Sequence, residues 1–226
     1  MALMAVAWWA LQPVAPSVAD TPPEGELSAC VRAAVGAVQE RYRALRDLSA
    51  RFEQESRSAA FGAGAAVTRS SGEVVFAKPG KMRWTYREPE ASLVVSDGEW
   101  LWIYDPAARE AQKLVVGDGA LSGAAVQFLL GEGEILGAFR IEADSCSETE
   151  ARLTLLPREP AAYEVLRIVA DPRSGDLRET EVVDLLGNAT RVAFRDLRAD
   201  TGPAPELFQF QAPEGVEVIE LSTTPR

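Results

Sequence analysis

Residues 72–106 read GEVVFAKPGKMRWTYREPEASLVVSDGEWLWIYDP. They decide the fold class. Glu73 to Lys78 runs into Pro79-Gly80, where Pro presets φ at the second position of a type II turn and Gly accepts φ > 0 at the third. Lys81 to Arg87 then alternates, with Met82, Trp84 and Tyr86 on one face and Lys81, Arg83, Thr85 and Arg87 on the other. Ser92 to Ser96 and Glu99 to Tyr104 flank Asp97-Gly98, a strong short-range hairpin signal. The stretch is therefore predicted to be four antiparallel strands with a heavily aromatic face. In the last strand, Leu101 and Ile103 alternate with Trp100, Trp102 and Tyr104. Both sets are apolar, so alternation alone does not say which points inward; Leu101 and Ile103 are taken as the inward pair.

Outward from that core the β pattern continues. Leu48 to Glu55 places Leu48, Ala50 and Phe52 on one side of a half-buried strand, and Ser56 to Ser71 reads as a small-residue loop. Glu110 to Val116, Phe139 to Asp144, Ala151 to Pro157, Tyr163 to Asp171, Asp176 to Leu186 and Ala189 to Leu197 follow as strands. A tail of two further short segments, Leu207 to Phe210 and Val216 to Glu220, closes the chain. Two stretches have helical period instead. From Leu27 to about Arg46, Val31, Ala34, Val35, Val38 and Tyr42 recur at three- and four-residue spacing behind Ser28 as N-cap. Leu121, Ala125, Phe128 and Leu129 make a second stripe, ended by Gly131 and Gly133.

About eleven antiparallel strands cannot remain flat and open, so the sheet is expected to curl toward a barrel. A barrel wider than eight strands has a lumen that must be filled. The fold class expected is mainly β: an incomplete, strongly curved antiparallel β-barrel with two to three helices as lid or plug. No boundary, repeat or low-complexity block divides residues 27–226, which are expected to form a single domain.

Composition removes several functions. A formal charge of −11 without a Lys/Arg cluster argues against nucleic acid as a partner. With no His in the chain, Ser-His-Asp and Cys-His nucleophiles are excluded and most zinc and iron sites lose their ligands. A carboxylate hydrolase would need a paired Asp/Glu cleft, and no inward strand position supplies one. Asp97 and Asp105 precede Gly98 and Pro106 and read as turn residues. Glu132 and Glu134, among glycines after a helix, read as solvated. No enzyme, cofactor or metal is expected.

Met1 to Ala19 is apolar and uncharged, and Ser17-Val18-Ala19 fits a cleavage site, so it reads as a secretory signal. Asp20 to Glu26 reads as a flexible tether. In an oxidising compartment Cys30 and Cys146, the two cysteines, suggest a disulfide. The alternative is that Leu27-Ser28-Ala29-Cys30 is a lipobox with Cys30 lipidated. Against this, a lipobox directly follows the apolar run, whereas Pro22, Pro23 and two Glu intervene here.

The pattern GxxxFxxPxxxRWxYxxP followed by LxVSDGxxLWxYDP resembles the outer-membrane lipoprotein carrier family (LolA). Gly72, Phe76, Pro79, Arg83, Trp84, Tyr86, Pro89, Leu93, Val95, Ser96, Asp97, Gly98, Leu101, Trp102, Tyr104, Asp105 and Pro106 carry the likeness. LSARFEQ at Leu48 to Gln54 and FQFQAPEGVEVI from Phe208 to Ile219 agree with it. The resemblance implies a periplasmic shuttle, expected as a monomer. Its partners would be acylated lipoproteins, the inner-membrane ABC transporter that releases them, and an outer-membrane acceptor. It also implies a cavity for acyl chains, assigned to Met82, Trp84, Tyr86, Val95, Leu101, Ile103, Phe128, Leu129, Leu153 and Leu155. The lid would carry Val31, Val35, Val38, Tyr42 and Leu121. Lys78 stands where the family commonly has an Arg that latches the lid helices; as Lys it reads more readily as a solvated strand-end residue, since an ammonium lacks the guanidinium's fork of donors. The resemblance leaves open a related envelope-stress sensor module or a LolB-like lipidated acceptor of the same fold.

Overall fold

The computed structural model describes residues 27–60, 67–116 and 134–221. The expected signal (1–19) and tether (20–26), and Leu121, Phe128, Leu129 and Glu132, lie outside them.

Helix α1 spans Ala29–Ala44. Ser28 Oγ accepts from the Val31 N–H at its N-terminus, the role its side chain suits. The apolar stripe of Val31, Ala34, Val35, Val38 and Tyr42 is buried. A hairpin follows, β1 (Asp47–Arg57) and β2 (Val67–Ala77). These strands extend well into the stretch read as a loop between Ser56 and Ser71, because Val67 to Ser71 carries no Gly or Ala and pairs residue by residue with Glu53 to Arg57. Strands β3 (Lys81–Glu88), β4 (Ser92–Asp97), β5 (Trp100–Asp105) and β6 (Glu110–Val115) are the four-strand region and its continuation. A single turn, α2 (Ile135–Ala138), leads into β7 (Phe139–Cys146), β8 (Ala151–Pro157), β9 (Tyr163–Ala170), β10 (Leu177–Asp184) and β11 (Ala189–Ala199). The tail is a 3₁₀ turn at Pro205–Phe208 and a strand, β12 (Glu217–Leu221).

All twelve strands among the described residues join one sheet in the order β12-β6-β5-β4-β3-β2-β1-β11-β10-β9-β8-β7. Neighbours run antiparallel except β12, which pairs parallel with β6. The sheet does not close; β12 and β7 stand at its ends. Its inner face and α1 share one buried cluster, including Phe52, Val74, Phe76, Leu153, Leu155, Leu166, Ile168 and Phe194. This is the incomplete barrel with a helix in its mouth.

Two glycines set close approaches. A Cβ on Gly72 would fall 2.0 Å from the Thr85 carbonyl oxygen and 3.0 Å from the Phe52 ring. Gly175, at φ +73, sits in the β9–β10 turn, where a Cβ would fall 2.2 Å from the Ala37 carbonyl oxygen. The first lets β2 and β3 pack under an aromatic ring; the second lets that turn rest on α1. At the β2–β3 turn Gly80 takes φ +62 as expected, but the Lys78–Pro79 bond is cis, which the trans type II turn read from sequence does not include.

Candidate functional site

The register assigns each side chain of the aromatic region to a face. Met82 pairs with Phe76 and Ser96, Trp84 with Val74 and Val94, and Tyr86 with Gly72 and Ser92. Ser96 and Val94 in turn pair with Leu101 and Ile103. Side chains directly opposite across antiparallel strands share a face, so Met82, Trp84, Tyr86, Val94, Leu101 and Ile103 all project inward with Phe52 and Phe76.

Phe52 organises this surface. Its ring centroid lies 4.8 Å from that of Trp84 and 5.0 Å from that of Tyr86, both edge-on. Trp84 also meets Phe76 at 5.8 Å and stacks on Tyr86 at 6.4 Å. Edge-to-face contacts of this kind add to the burial of each ring. The Tyr86 hydroxyl donates to Gln54 Oε1 at 3.1 Å, and burial raises its pKa above the ordinary value.

The inner face is not uniform. On the β1, β8, β9 and β11 side, Phe52, Leu153, Leu155, Leu166 and Ile168 are closed off in one cluster with α1. On the β3–β6 side, Trp84, Tyr86, Val94 and Leu114 are only half-buried against that cluster, and Ile103 is 38 % exposed. An apolar, aromatic surface thus remains partly open beside the filled half. Of the residues expected as cavity lining, Met82, Leu101, Leu153 and Leu155 are buried in the cluster that α1 completes.

Val95 is a correction. It pairs with Arg83 and Trp102 and projects from the outer face. It is fully buried there because the tail segment folds back over that side. Arg83 Nη1 donates to the Leu207 carbonyl at 3.0 Å, and Phe210 packs on Trp102 and Tyr104 at 5.3 Å each. Lys113 Nζ sits 3.8 Å from the Trp100 ring centre. Trp100, Trp102 and Tyr104 therefore belong to an outer patch under the tail, which settles the alternation in β5. Val94, Phe52 and Phe76 were missed as site residues. Phe52 was legible from its alternation with Leu48 and Ala50; Val94 lies within Leu93-Val94-Val95, where three consecutive apolar residues erase the period-2 signal.

Other hollows formed by described residues lie elsewhere. Three open on the outer face of β1, β2 and β11, of about 530, 400 and 370 Å³. They are lined by Arg51, Glu53, Glu73, Arg195, Asp196 and similar charged groups. Many of these charges are already in cross-strand ion pairs, such as Arg69–Glu55 at 2.9 Å and Arg87–Glu73 at 3.1 Å. Such polar troughs do not suit a hydrocarbon chain.

Val31, Val35, Val38 and Tyr42, the expected lid residues of α1, are embedded in the core. The helix is anchored at its C-terminal end. Lys78 Nζ donates to the carbonyls of Tyr42 (2.6 Å) and Arg43 (3.0 Å), so its charge sits at the end of α1 rather than in bulk water. Arg41 pairs with Asp176 at 2.8 Å. The Tyr42 hydroxyl accepts from the Leu177 N–H at 3.3 Å; burial pushes its pKa far up. At the other end Cys30 and Cys146 form a disulfide with Cα atoms 6.1 Å apart, leaving Cys30 no thiol to acylate. Asp97 Oδ1 and Asp105 Oδ1 each accept two backbone N–H bonds within their turns, and Glu134 pairs with Arg43 at 2.6 Å.

An open, curled sheet with one helix packed in its concavity and an apolar aromatic strip left half-covered defines the class: a β-rich shell built around a greasy inner face. Residues 43–211 match the family described as outer membrane lipoprotein carrier protein LolA, and the chain belongs to that family. It is 33 % identical over 154 residues to the outer-membrane lipoprotein carrier protein of Nitrosomonas europaea, covering 68 % of this chain and 74 % of that one. With the protein of the same description from Alkalilimnicola ehrlichii the identity is 33 % over 181 residues, 79 % and 80 % of the two chains. Among solved structures, an uncharacterized conserved protein from Thermus thermophilus superposes with TM-score 0.51 at 9 % identity, over 84 % of this chain and 99 % of that one. A LolA superfamily protein from Nitrosomonas europaea does so with TM-score 0.44 at 10 % identity, over 81 % and 99 %.

Proposed function

We infer that this protein carries acylated lipoproteins through the aqueous periplasm, holding their acyl chains against the inner face of β3–β6. The observation that carries the reading is the half-covered strip of Trp84, Tyr86, Val94, Ile103 and Leu114 in a member of this family. A 16-carbon chain gains about 12 kcal/mol on leaving water, at ~0.8 kcal/mol per CH₂, so a lipoprotein needs such a surface to cross a gap between membranes. Release needs the opposite property. Apolar contacts already made inside the empty protein must be displaced by cargo, which keeps net affinity moderate. The aromatic cluster around Phe52 supplies such contacts.

On this reading the cargo comes from an inner-membrane ABC transporter and passes to an outer-membrane acceptor, and the chain reaches the periplasm through a cleaved signal at its start. Trp84, Tyr86, Val94, Ile103 and Leu114 contact the acyl chains, with the buried Met82 and Leu101 behind them, and no catalysis is involved. Protein purified from periplasmic extract should release diacyl- or triacyl-modified peptides into organic solvent, identified by mass spectrometry. Free phospholipid alone, or no lipid at all, would contradict the reading.

A further inference from the structure

The ties that hold α1 to the sheet are distributed unevenly. From Gln39 to the C-terminus of the helix they are many: Gln39 Oε1 accepts from the Ile135 N–H at 2.8 Å, and the Arg41, Tyr42, Arg43 and Lys78 contacts follow. In the segment from Ala29 to Val38, the polar or covalent tie to the sheet among the described residues is the Cys30–Cys146 bond. That bond reaches the end of β7, itself the last strand of the sheet. Both cysteines are half-buried and their flanking residues Ala29, Ser145 and Ser147 are exposed, so a thiol can reach the bond.

Between the two segments stands Gly36. It is exposed, and a Cβ built on it would meet nothing within 4 Å. No close approach demands glycine there, yet glycine in a helix interior is about 1 kcal/mol less favourable than alanine. The helix thus has a C-terminal half anchored by several polar ties, a weak joint, and an N-terminal half held by the burial of Val31, Ala34 and Val35 together with one reducible bond.

We propose that the Cys30–Cys146 disulfide is a redox clasp: closed, it pins the N-terminal half of α1 over the inner face; opened, it lets that half swing about Gly36 while the C-terminal half stays in place. Opening requires a dithiol. Its thiolate attacks one of the two sulfurs, the Sγ–Sγ bond breaks, and a mixed disulfide forms. Its second thiol then displaces the protein sulfur. Two electrons and two protons pass to Cys30 and Cys146, which become thiols, and the dithiol becomes a cyclic disulfide. Val31, Ala34 and Val35 leave the buried cluster in that state. Any effect on acyl-chain release rests on the carrier function inferred above; the motion of the helix does not.

Hydrogen exchange measured on the oxidised protein, on protein reduced with dithiothreitol and alkylated, and on C30S/C146S tests the clasp. Amides of Ala33 to Val38 should exchange about tenfold or more faster once the bond is gone, with Gln39 to Ala44 and strands β8 and β9 within about twofold of the oxidised protein. Adding Gly36→Ala to the reduced protein should slow that exchange several-fold by stiffening the joint. Equal exchange in both redox states overturns the proposal. So does a uniform rise that includes β8 and β9, which would make the bond a staple of the whole fold. A fluorescent fatty acid added to each form separates the two ideas: binding in neither redox state speaks against the carrier function and leaves the exchange result standing.

Discussion

Replacing Lys78 by Met removes a charge from the end of α1 while keeping the length of the side chain. In the native protein Nζ makes two charge-assisted hydrogen bonds, of 2.6 Å to the Tyr42 carbonyl and 3.0 Å to that of Arg43. Hydrogen bonds involving a charged group contribute about 1.5–3 kcal/mol where buried, and a cation at a helix C-terminus adds about 0.3–1 kcal/mol. The ammonium is partly solvated, so the two bonds together are assigned about the value of one buried bond, and the variant should lose about 2–3 kcal/mol. For a chain of this size that corresponds to a fall in Tm of roughly 4–12 °C. Urea unfolding should show a lower midpoint with an unchanged slope, since the surface exposed on unfolding is the same. Lys78→Arg should recover at least part of the loss, because a guanidinium can also donate to both carbonyls. If Lys78→Met unfolds within about 0.5 kcal/mol of the native protein, the value expected for an inert surface change, the latch assignment is wrong.

Gly72→Ala should cost about 3 kcal/mol or more, beyond ordinary overpacking, because its Cβ would meet the Thr85 backbone carbonyl at 2.0 Å rather than a side chain that can turn away; calorimetry reads this directly. Gly175→Ala should also destabilise, at φ +73 and against the Ala37 carbonyl, and should raise exchange specifically in the C-terminal half of α1. Burial raises the pKa of Tyr42, Tyr86 and Tyr163. The folded state therefore holds these protons more tightly than the unfolded chain, and their contribution is complete below about pH 10 and lost as pH rises above it. Tyr42→Phe should flatten the fall in stability above that pH. At the acid end, backbone hydrogen bonds lower the pKa of Asp171 and Asp200, so their contribution is present above the ordinary carboxylate range near 4 and fades as pH drops below it; denaturant titrations across pH 2–5 should show that loss.

The β architecture was legible because its signals are local. Asp97-Gly98 and the alternation of Met82, Trp84 and Tyr86 each report on a few adjacent residues, and the helical stripe from Val31 to Tyr42 is equally local. What failed was the relation between strands. Once Leu101 and Ile103 are taken as inward, the tight turn at Asp97-Gly98 pairs them with Ser96 and Val94, so Val95 must face outward. The assignment of Val95 to the cavity contradicted a register already implied by the turn. Leu153 and Leu155 faced the expected way, yet sequence periodicity does not reveal that α1 completes a filled cluster on that half of the sheet. The tail was hidden for a similar reason. Nothing local in Leu207 to Phe210 shows its place, which is fixed by Arg83 holding the Leu207 carbonyl and by Phe210 packing on the outer aromatic patch, both far away in sequence. The disulfide was anticipated from cysteine count, whereas its position opposite the cluster of ties at the other end of α1 could be seen only in three dimensions.

The inner strip contains Trp84 and the outer aromatic patch Trp100 and Trp102, and this allows a direct test. Trp84 lies on the inner face and Trp102 on the outer one. On titration with a triacylated lipopeptide, indole emission should change to saturation in the native protein and in Trp102→Phe, and the change should be lost in Trp84→Phe. No change at saturating lipopeptide, or a response that vanishes with Trp102 and survives loss of Trp84, would contradict the inner face as the seat of the acyl chains.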